Sequence, residues 1–431
     1  MGHLLVSSVI ALPAAADAID PDDFLPFDAD QARIGQLLFY DKILSGNRNI
    51  SCGTCHHHSL GSSDGLSLGI GEGGAGLGAD RTPGTGADRI QKRVPRNAPG
   101  LWNLAHRGIQ TVFHDGRLQK IDDDEYVFDS PAGSDIPMGL NSIIAAQALF
   151  PMTSDTEMAG SPGENDVATA VAAGVHLGWP ILARRVATIP AYAGMFSEVF
   201  EDVEGQDDIT IVHVVNALAA FIGTEWQSYD TPYDRWAREG VPLPARAERG
   251  RRLFFGEAGC AQCHNGPLFS DQQFHAAGLP AFGPGRNRKF DPINRDVGRM
   301  GKTDRLDDAY RFRTPSLRNV AVTAPYGHNG AYPTLRDMIR HMANPVGSRM
   351  LWRPEMARLP AVPWLAAGDF AVMEDRFEMA RQAQYLEILP VRLSDEQVGE
   401  IEAFLSALTD PNPFDRPLGR PESVPSGLPV D

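Results

Sequence analysis

The chain has 431 residues, which is enough for two or three domains with well-filled cores. Its composition is that of a globular protein, with 42% hydrophobic and 22% charged residues, and its 43 Gly and 33 Pro predict many ordered loops. The formal net charge of −16 argues against nucleic acid or an anionic membrane as a partner and permits a basic protein partner.

Residues 1–18 are typical of a secretory signal peptide. An apolar run from Leu4 to Leu12 is followed by small residues that end in Ala16-Asp17-Ala18, an A-x-A cleavage pattern. No Lys or Arg precedes the run, so a buried N-terminal helix is the alternative. No later segment has the roughly 18 consecutive apolar residues that a membrane span needs, and we predict an exported protein without a membrane span.

Two amphipathic helices are predicted at similar positions in the two halves of the chain. Both carry G-x-x-L-F, at Gly35–Phe39 and at Gly250–Phe254, and in the first helix Ile34, Leu37 and Leu38 fall on one face. Each helix precedes one of two CxxCH motifs, so the repeat predicts an all-α fold of two tandem cytochrome c-like domains with long connecting loops. The predicted domains cover residues 25–240 and 241–412.

The CxxCH motifs use every cysteine of the chain. They are CGTCH, with Cys52, Cys55 and His56, and CAQCH, with Cys260, Cys263 and His264. A structural zinc site would have to join two pairs from opposite halves, and a thioredoxin-type dithiol would follow a strand-like run that neither copy has. CxxCH is instead the pattern of c-type haem attachment, with both sulfurs bound to the haem and the adjacent His bound to its iron. The sequence therefore predicts two covalent c-type haems.

Other segments predict helices and loops around these sites. Residues 166–187 and 210–227 have apolar helical faces, and residues 394–408 begin with a capping box of Ser394 and Gln397. The Gly-rich residues 61–88 predict a loop over the first haem, and the Pro-rich residues 413–431 predict an extended tail.

Further blocks between residues 30 and 410 resemble the bacterial di-haem cytochrome c peroxidase family, which includes MauG. They are PRNAPGLWN (95–103), FHDGR (113–117), ALFPMTSDTEMAG (148–160) and RTPSLRNVAVTAPYGHNG (313–330). The third block is most similar to the branch that contains the di-haem enzyme of methanobactin gene clusters. The resemblance implies a periplasmic enzyme whose first haem meets hydrogen peroxide and whose second haem stores or relays an electron.

The same resemblance implies residues on the distal side of the first haem. Family members have a distal Glu with a Gln ten residues before it and a Pro six before it, and Glu157, Gln147 and Pro151 match. Cleavage of the O–O bond needs such an acid/base group to move a proton between the oxygens. A solvated loop carboxylate is the alternative interpretation of Glu157.

Glu72 stands where many family members have a histidine that blocks the distal face at rest. A carboxylate is a poor substitute for that iron ligand, so we expect a five-coordinate first haem that needs no reductive activation. His57 and His58 lie too close to His56 to fold over the distal face. We expect them to bind haem propionates or water, or to lie on the surface.

The resemblance also implies a distal ligand for the second haem. Family members have it fourteen residues after the His of the APYxH block, which here is His328, so Met342 is the expected ligand. Thioether ligation raises the reduction potential and favours electron transfer. His341 is an alternative ligand, and core packing is the alternative role for Met342.

The FHDGR block departs from the family, which has a bridging Trp where this chain has His114. Electron transfer between the haems then uses His114 or Phe113, or shifts to Trp102. The resemblance also implies a calcium ion between the halves, with Asn97, Thr323 and Pro325 as ligands, a donor set of oxygens that Ca²⁺ prefers. Arg313 and Arg318 are expected propionate partners.

Three functions remain open. The first is a peroxide-dependent oxidase that modifies a secreted partner protein, for example at a tryptophan, with Trp226, Trp236 or Trp352 as exit stations, and Glu72 favours it. The second is a peroxidase that takes electrons from a small cytochrome or cupredoxin, and Met342 favours it. The third is a non-enzymatic di-haem electron carrier, against which Glu157 and Gln147 argue.

Overall fold

The computed structural model describes residues 15–121, 127–288, 291 and 293–431, so the predicted signal peptide lies largely outside the described residues. The described α-helices are α1 (Ala29–Tyr40), α2 (Cys52–Cys55), α3 (Ile143–Ala148), α4 (Asp166–Ala173), α5 (Trp179–Ala187), α6 (Pro190–Val199), α7 (Ile211–Glu225), α8 (Pro232–Glu239), α9 (Ala245–Phe255), α10 (Met300–Thr303), α11 (Leu335–Ala343), α12 (Pro345–Leu351), α13 (Ala366–Asp369), α14 (Ala371–Glu374), α15 (Arg376–Gln384) and α16 (Asp395–Ser406). The described strands are β1 (Thr111–Val112), β2 (Leu118–Lys120), β3 (Phe128–Asp129), β4 (Phe274–His275) and β5 (Phe312–Arg313).

The fold is mostly helical. The prediction of an all-α fold is wrong in one respect, because short strands occur in the connecting loops. The strands β1, β2 and β3 form a small antiparallel sheet, and β4 pairs with β5. None of these strands exceeds three residues, because they are local pairings that satisfy the backbone groups of long connections.

Two helix pairs organise the molecule. α1 packs on α7, and α9 packs on α16. Gly35 of α1 lies against the carbonyl group of Ala217, and Gly250 of α9 lies against that of Glu400, so closely that a β-carbon at either glycine would overlap the carbonyl. The G-x-x-L-F repeat therefore marks two helix crossings of the same kind.

Each helix pair lies in its own apolar cluster. The first cluster takes most of its residues from 19–226 and the second most of its residues from 233–408. The predicted helices around both G-x-x-L-F motifs, at 210–227 and at 394–408 are confirmed, including the capping box in which Ser394 binds the N–H of Gln397. The predicted helix at 166–187 is wrong as a single element, because Gly174 and the Gly178-Trp179-Pro180 segment divide it into α4 and α5.

The Gly-rich loop at 61–88 joins the two halves. Its Leu68 is fully buried in the second cluster, and Ile70 packs with Ile90 and Val362. Ser67 donates its N–H to the carbonyl of Arg358 at 3.0 Å and its hydroxyl to that of Gly330 at 2.7 Å. This loop therefore connects the first CxxCH motif to the second half of the chain.

Residues 413–431, which we call the strap, run back across the first cluster. Val424 is buried there, and Leu418, Leu428 and Val430 pack against it. The Asp431 carboxylate binds Lys42 at 2.6 Å and also accepts a hydrogen bond from Thr54, which lies between the first two cysteines. The predicted extended tail is thus packed against the first CxxCH motif.

At the other end of the described chain, Ala16 is buried in the second cluster and exchanges hydrogen bonds with the Tyr233 hydroxyl at 2.9 and 2.6 Å. No helix in the described part of the chain combines the length and the apolar character that crossing a bilayer requires.

Candidate active site

Both CxxCH motifs form short helical turns with unpaired thiols. The first is α2, and the second is the turn Cys260–Gln262. All four cysteines are free, and burial raises the pKa of Cys52, Cys55 and Cys260 to about 12. Two sulfurs one helical turn apart suit covalent attachment to the edge of a haem.

The two motif histidines are oriented in the same way. Nδ1 of His56 lies 2.9 Å from the carbonyl oxygen of Ser62, and Nδ1 of His264 lies 2.9 Å from that of Phe269. A carbonyl group fixes Nδ1 as the donor and leaves Nε2 as the free ligand atom, the usual arrangement around a metal-bound histidine. Ser62 and Phe269 both have positive φ, 66° and 53°, a strained backbone that aims their carbonyls at the ring. The residues present therefore fit two haems.

Glu157 lines a cleft beside the first motif. It lies in a single π-turn, Asp155–Ala159, which follows the turn Pro151–Thr153. The cleft has a volume of about 410 Å³, with Arg117 and Arg286 beside Glu157 and apolar walls that include Phe150. Burial raises the pKa of Glu157, and the two arginines oppose this. Its charge in turn raises the pKa of Cys55, which places the carboxyl group near the attachment motif. Glu157 is not a solvated loop carboxylate.

Gln147 and Pro151 precede Glu157 on consecutive turns but do not line the described cleft. Gln147 ends α3 half-buried, and no described residue makes a hydrogen bond to its side chain. Both residues shape the approach of the chain to the π-turn, and their predicted catalytic roles stay predictions.

Glu72 is held by two asparagines that the sequence alone did not single out. Its Oε1 accepts hydrogen bonds from Asn47 Nδ2 and Asn49 Nδ2, both at 2.7 Å. The loop next to it is fixed by Gly71, which packs so closely on the carbonyl of Thr156 that a β-carbon would overlap it. Glu72 therefore lies beside the Glu157 turn, and its carboxylate is already hydrogen-bonded to the two asparagines.

His57 and His58 are both buried, so the expectation that they lie on the surface is wrong. His58 contacts the Tyr40 hydroxyl with Nδ1 and Glu225 Oε1 with Nε2, the latter at 2.7 Å. His57 bonds the Ser59 hydroxyl at 2.8 Å. The tight packing of α1 on α2 and α7 brings these partners together, and sequence spacing could not show it.

At the second site, His341 has no free ring nitrogen. Its Nδ1 lies 2.9 Å from the Tyr332 hydroxyl, and its Nε2 donates to the carbonyl of Ala277 at 2.9 Å. Met342 is half-buried and does not belong to the second apolar cluster, whereas Met338, one helical turn earlier, packs against it. His341 is thus fully engaged in the described structure, and Met342 as the iron ligand stays a prediction.

His114 lies between the halves and is half-buried. Its Nε2 lies 3.0 Å from the carbonyl oxygen of Asn97, and its own carbonyl accepts the N–H of Arg313 at 2.8 Å. Burial and the nearby Arg96 lower the pKa of His114 to about 4, so the ring is neutral near pH 7. The position that carries Trp in the family therefore holds a neutral, hydrogen-bonded imidazole.

A buried charge network beside His114 was missed by the sequence reading. Arg96 binds Asp296 through two hydrogen bonds of 2.7 and 2.8 Å and Asp115 at 2.7 Å. Asp115 also pairs with Arg117 of the Glu157 cleft at 3.0 Å. Because an arginine from residue 96 meets a carboxylate from residue 296, the network holds the two halves together at the cleft.

Asn97, one of the predicted calcium ligands, lies against the second half of the chain. It donates its N–H to the carbonyl of His328 at 2.9 Å and its Nδ2 to that of Leu66 at 2.6 Å. No described donor binds Asn97 Oδ1 or the carbonyl oxygens of Thr323 and Pro325. Oxygens of this kind are the ligands that Ca²⁺ prefers, and the calcium site stays a prediction.

The two predicted propionate partners differ in their pairing. Among the described residues, the Arg313 side chain donates only to the carbonyls of Phe113 and Thr314, and burial lowers its pKa to about 10. Arg318 makes a fully buried pair with Asp234 at 2.7 Å, and its buried Nη2 has no partner in the described part of the chain. A carboxylate from a bound group would compensate the charge of Arg313 and the free Nη2 of Arg318.

The predicted tryptophan stations are mostly internal. Trp226 and Trp352 are buried in the first and second clusters, and Trp236 is half-buried below the guanidinium of Arg251. Trp102 is buried too, with its Nε1 donating to the carbonyl of Gly61 at 3.1 Å. None of these four side chains presents a fully exposed indole.

Comparison with known proteins agrees with this geometry. A family model described as di-haem cytochrome c peroxidase matches residues 29–241. Methylamine utilization protein MauG of Methylorubrum extorquens is 30% identical over 318 residues, which cover 73% of this chain and 69% of the relative. Cytochrome c551 peroxidase of Nitrosomonas europaea is 28% identical over 358 residues, covering 83% of this chain and 86% of the relative.

Among solved structures, a MauG-like protein associated with microbial copper homeostasis matches with a TM-score of 0.61 at 24% identity, covering 96% of this chain and 98% of that chain. This likeness concerns the fold. Together with the sequence relatives, the two CxxCH turns and their oriented histidines lead to one conclusion. The chain belongs to the di-haem cytochrome c peroxidase family, whose members are oxidoreductases.

Proposed function

We propose that this protein reacts with hydrogen peroxide at the first haem site and uses the oxidising equivalents to oxidise a secreted partner protein at long range. In this proposal Cys52 and Cys55 attach the first haem and His56 binds its iron, while Cys260, Cys263 and His264 do the same for the second. The haems supply the electrons and the iron coordination that peroxide cleavage requires. The protein is exported to the periplasm, and one calcium ion bridges its halves through Asn97.

The observation that carries the proposal is the state of Glu72. Many members of the family that this sequence resembles have a blocking histidine at this position. This chain has a carboxylate there, which is bound by Asn47 and Asn49. A carboxylate with two amide donors is satisfied where it is and gains nothing by moving to the iron. The first site therefore stays open to peroxide without prior reduction.

Glu157 moves the proton in this scheme. As a carboxylate it accepts the proton from the peroxide oxygen that binds first, and it returns this proton to the departing oxygen, which leaves as water. Arg117 and Arg286 border the cleft and stabilise negative charge that develops on the oxygens. Burial raises the pKa of the carboxyl group, which suits a group that must both take and give a proton.

A second candidate function is peroxide reduction with electrons from a small cytochrome or cupredoxin. The specific observation in its favour is Met342, since His341 is fully engaged and thioether ligation gives the higher potential that suits an electron-accepting haem. The two candidates share the chemistry at Glu157 and differ in whether the second site delivers electrons or withdraws them from the partner.

The test compares the wild-type holoprotein with Glu72→His and Glu72→Gln. The ferric wild type should show a high-spin component from one haem and should react with peroxide in the absence of any reductant. Glu72→His should become low-spin at that haem and need prior reduction. Glu72→Gln is the matched control, because it keeps an acceptor for one asparagine and provides no iron ligand.

Two low-spin, six-coordinate haems in the wild type would contradict the proposal. If the peroxide-treated protein persists in an oxidised state and then oxidises a partner protein, the first candidate is supported. If it reacts only after reduction and returns quickly to rest when a small electron donor is added, the second candidate is correct.

A further inference from the structure

Tyr40, His58 and Glu225 form a buried chain of hydrogen bonds behind the first CxxCH motif. Tyr40 ends α1, and its ring lies so close to Gly53, between Cys52 and Cys55, that a β-carbon at Gly53 would overlap the ring. Tyr40 and Glu225 are fully buried and His58 is 6% exposed. We call these three residues the Tyr40 network. They place a phenol in van der Waals contact with the turn that carries both attachment cysteines.

The direction of the hydrogen bonds follows from Glu225. Its two oxygens accept the N–H groups of Leu418 and Gly419 in the strap, at 2.8 and 2.7 Å, so both oxygens already act as acceptors. A carboxylate can only accept, so His58 Nε2 donates to it at 2.7 Å. Nδ1 of His58 then carries the lone pair and accepts the hydroxyl of Tyr40. Burial raises the pKa of Tyr40, so the resting phenol keeps its proton.

The internal repeat shows that the scaffold does not need this network. Alignment of the two G-x-x-L-F helices places Phe255 opposite Tyr40, and alignment of the two CxxCH motifs places Gly266 opposite His58. The helix crossing places Gly35 against Ala217 of α7 and Gly250 against Glu400 of α16, so Ala217 corresponds to Glu400. Eight residues further along the chain from each lie Glu225 in the first repeat and Leu408 in the second. All three polar members of the first repeat are replaced by residues without a polar side chain in the second.

We propose that Tyr40 is a redox-active tyrosine that supplies an electron to the first haem site, a role that rests on the proposed reaction of that site with hydrogen peroxide. Reduction of one peroxide to two waters consumes two electrons. Tyr40 gives one of them, and its phenolic proton passes to Nδ1 of His58, which leaves a neutral tyrosyl radical. The imidazolium that forms faces the Glu225 carboxylate. The other electron comes from the haem system and the two protons that complete the waters come from solvent, so atoms and charges balance.

A second tyrosine–histidine contact in the described chain supplies the control. Tyr332 is buried, and its hydroxyl lies 2.9 Å from Nδ1 of His341. Nε2 of His341 donates to the carbonyl of Ala277, not to a carboxylate. A neutral carbonyl stabilises an imidazolium less than an anion does, so the Tyr332 pair is the weaker proton acceptor. The contact to a carboxylate separates Tyr40 from the other pair.

The experiment mixes the ferric holoprotein with hydrogen peroxide and records the radical by freeze-quench electron paramagnetic resonance. Wild type should give a tyrosyl signal, Tyr40→Phe should lose it, and Tyr332→Phe should keep it. Phe255 shows that this scaffold accommodates phenylalanine at the equivalent place, and haem content with the ferric spectrum verifies that Tyr40→Phe is folded. Glu225→Gln should weaken the signal, since the imidazolium then lacks its anionic partner.

Three results would overturn the inference. They are a peroxide-treated wild type without a tyrosyl radical, a signal that survives in Tyr40→Phe, and a signal that disappears in Tyr332→Phe alone. If the proposed function itself is wrong, peroxide should leave the ferric spectrum of the wild type unchanged. That outcome is distinguishable from the three results above, and it would also overturn the inference. In the supporting case, mass spectrometry after repeated peroxide treatment should locate oxidation at Tyr40 in the wild type only.

Discussion

The two CxxCH repeats share a scaffold and differ in what surrounds it. Both have a helix that crosses its partner at a glycine, a turn with two buried thiols, and a histidine held by a carbonyl from a residue with positive φ. The first repeat adds the Tyr40 network, whereas the second has Phe255, Gly266 and Leu408. Attachment of a haem thus needs little beyond the motif and its helices, and the two sites are made different by residues outside the motif.

The open sides of the two sites differ as well. The first has Glu157, Arg117 and Arg286 in one cleft. For the second, Met342 is the predicted ligand, and both ring nitrogens of His341 are engaged. Under the proposed function, the acid/base group would serve peroxide chemistry and the thioether would serve electron transfer. Four sets of variants test this difference.

The largest effect is expected from removing the attachment cysteines. Cys52→Ser with Cys55→Ser should remove one covalent haem and abolish the reaction with peroxide. Cys260→Ser with Cys263→Ser should remove the other haem and leave peroxide binding at the first site. Intact-mass spectrometry and stopped-flow spectra measure both. A peroxide reaction that survives in the first double variant would show that the division of roles is wrong.

Glu157→Gln should slow the reaction with peroxide by about 10²–10⁴-fold, the usual contribution of a positioned acid/base group. Asp155→Asn is the control, because that carboxylate lies on the same turn and is exposed. Only the ionised form of Glu157 accepts a proton, and burial raises its pKa. The wild-type rate should therefore fall with decreasing pH from a higher pH than an ordinary glutamate would give. An equal effect of both variants would refute the assignment.

Met342→Ala should change the second site alone. Loss of the thioether should lower the reduction potential of that haem and convert it from low-spin to high-spin, as followed by potentiometry and visible spectra. His341→Asn removes the contacts to Tyr332 and Ala277 and should leave the ligation intact. The opposite pattern, with ligation lost in His341→Asn only, would make His341 the ligand.

The smallest effect concerns the strap. Arg416 donates to the carbonyls of Glu225 at 2.9 Å and Gln227 at 2.6 Å, and its guanidinium lies 4.9 Å from the centre of the Trp102 ring. Arg416→Ala should lower the free energy of unfolding by about 1–2 kcal/mol. Arg33→Ala, which removes an exposed pair with Asp30 in α1, should change it much less. Thermal unfolding followed by circular dichroism compares the two variants. Equal changes in their unfolding temperatures would show that the strap does not stabilise the fold.

Much of the molecule could be predicted from local sequence. Two CxxCH motifs with their G-x-x-L-F helices predict paired haem sites, because a haem attachment turn needs cysteines and histidine at fixed short spacing and a helix crossing needs glycine where backbones touch. The helices at 210–227 and 394–408 follow from apolar periodicity and a capping box, which are also local. Family blocks extended this reading to Glu157, Met342 and Asn97.

Only the tertiary structure decided which residues share a contact across long stretches of chain. Asn47 and Asn49 hold Glu72, Arg96 joins Asp296, and the strap meets the first CxxCH motif. The hydrogen bonds of His58 are made with Tyr40 from α1 and Glu225 from α7, and no rule of sequence spacing connects these three residues. Short-range chemistry depends on neighbouring residues, so the sequence alone predicts the two haem attachment motifs. The surroundings that differentiate the two haems depend on distant segments packing together, and that required the fold.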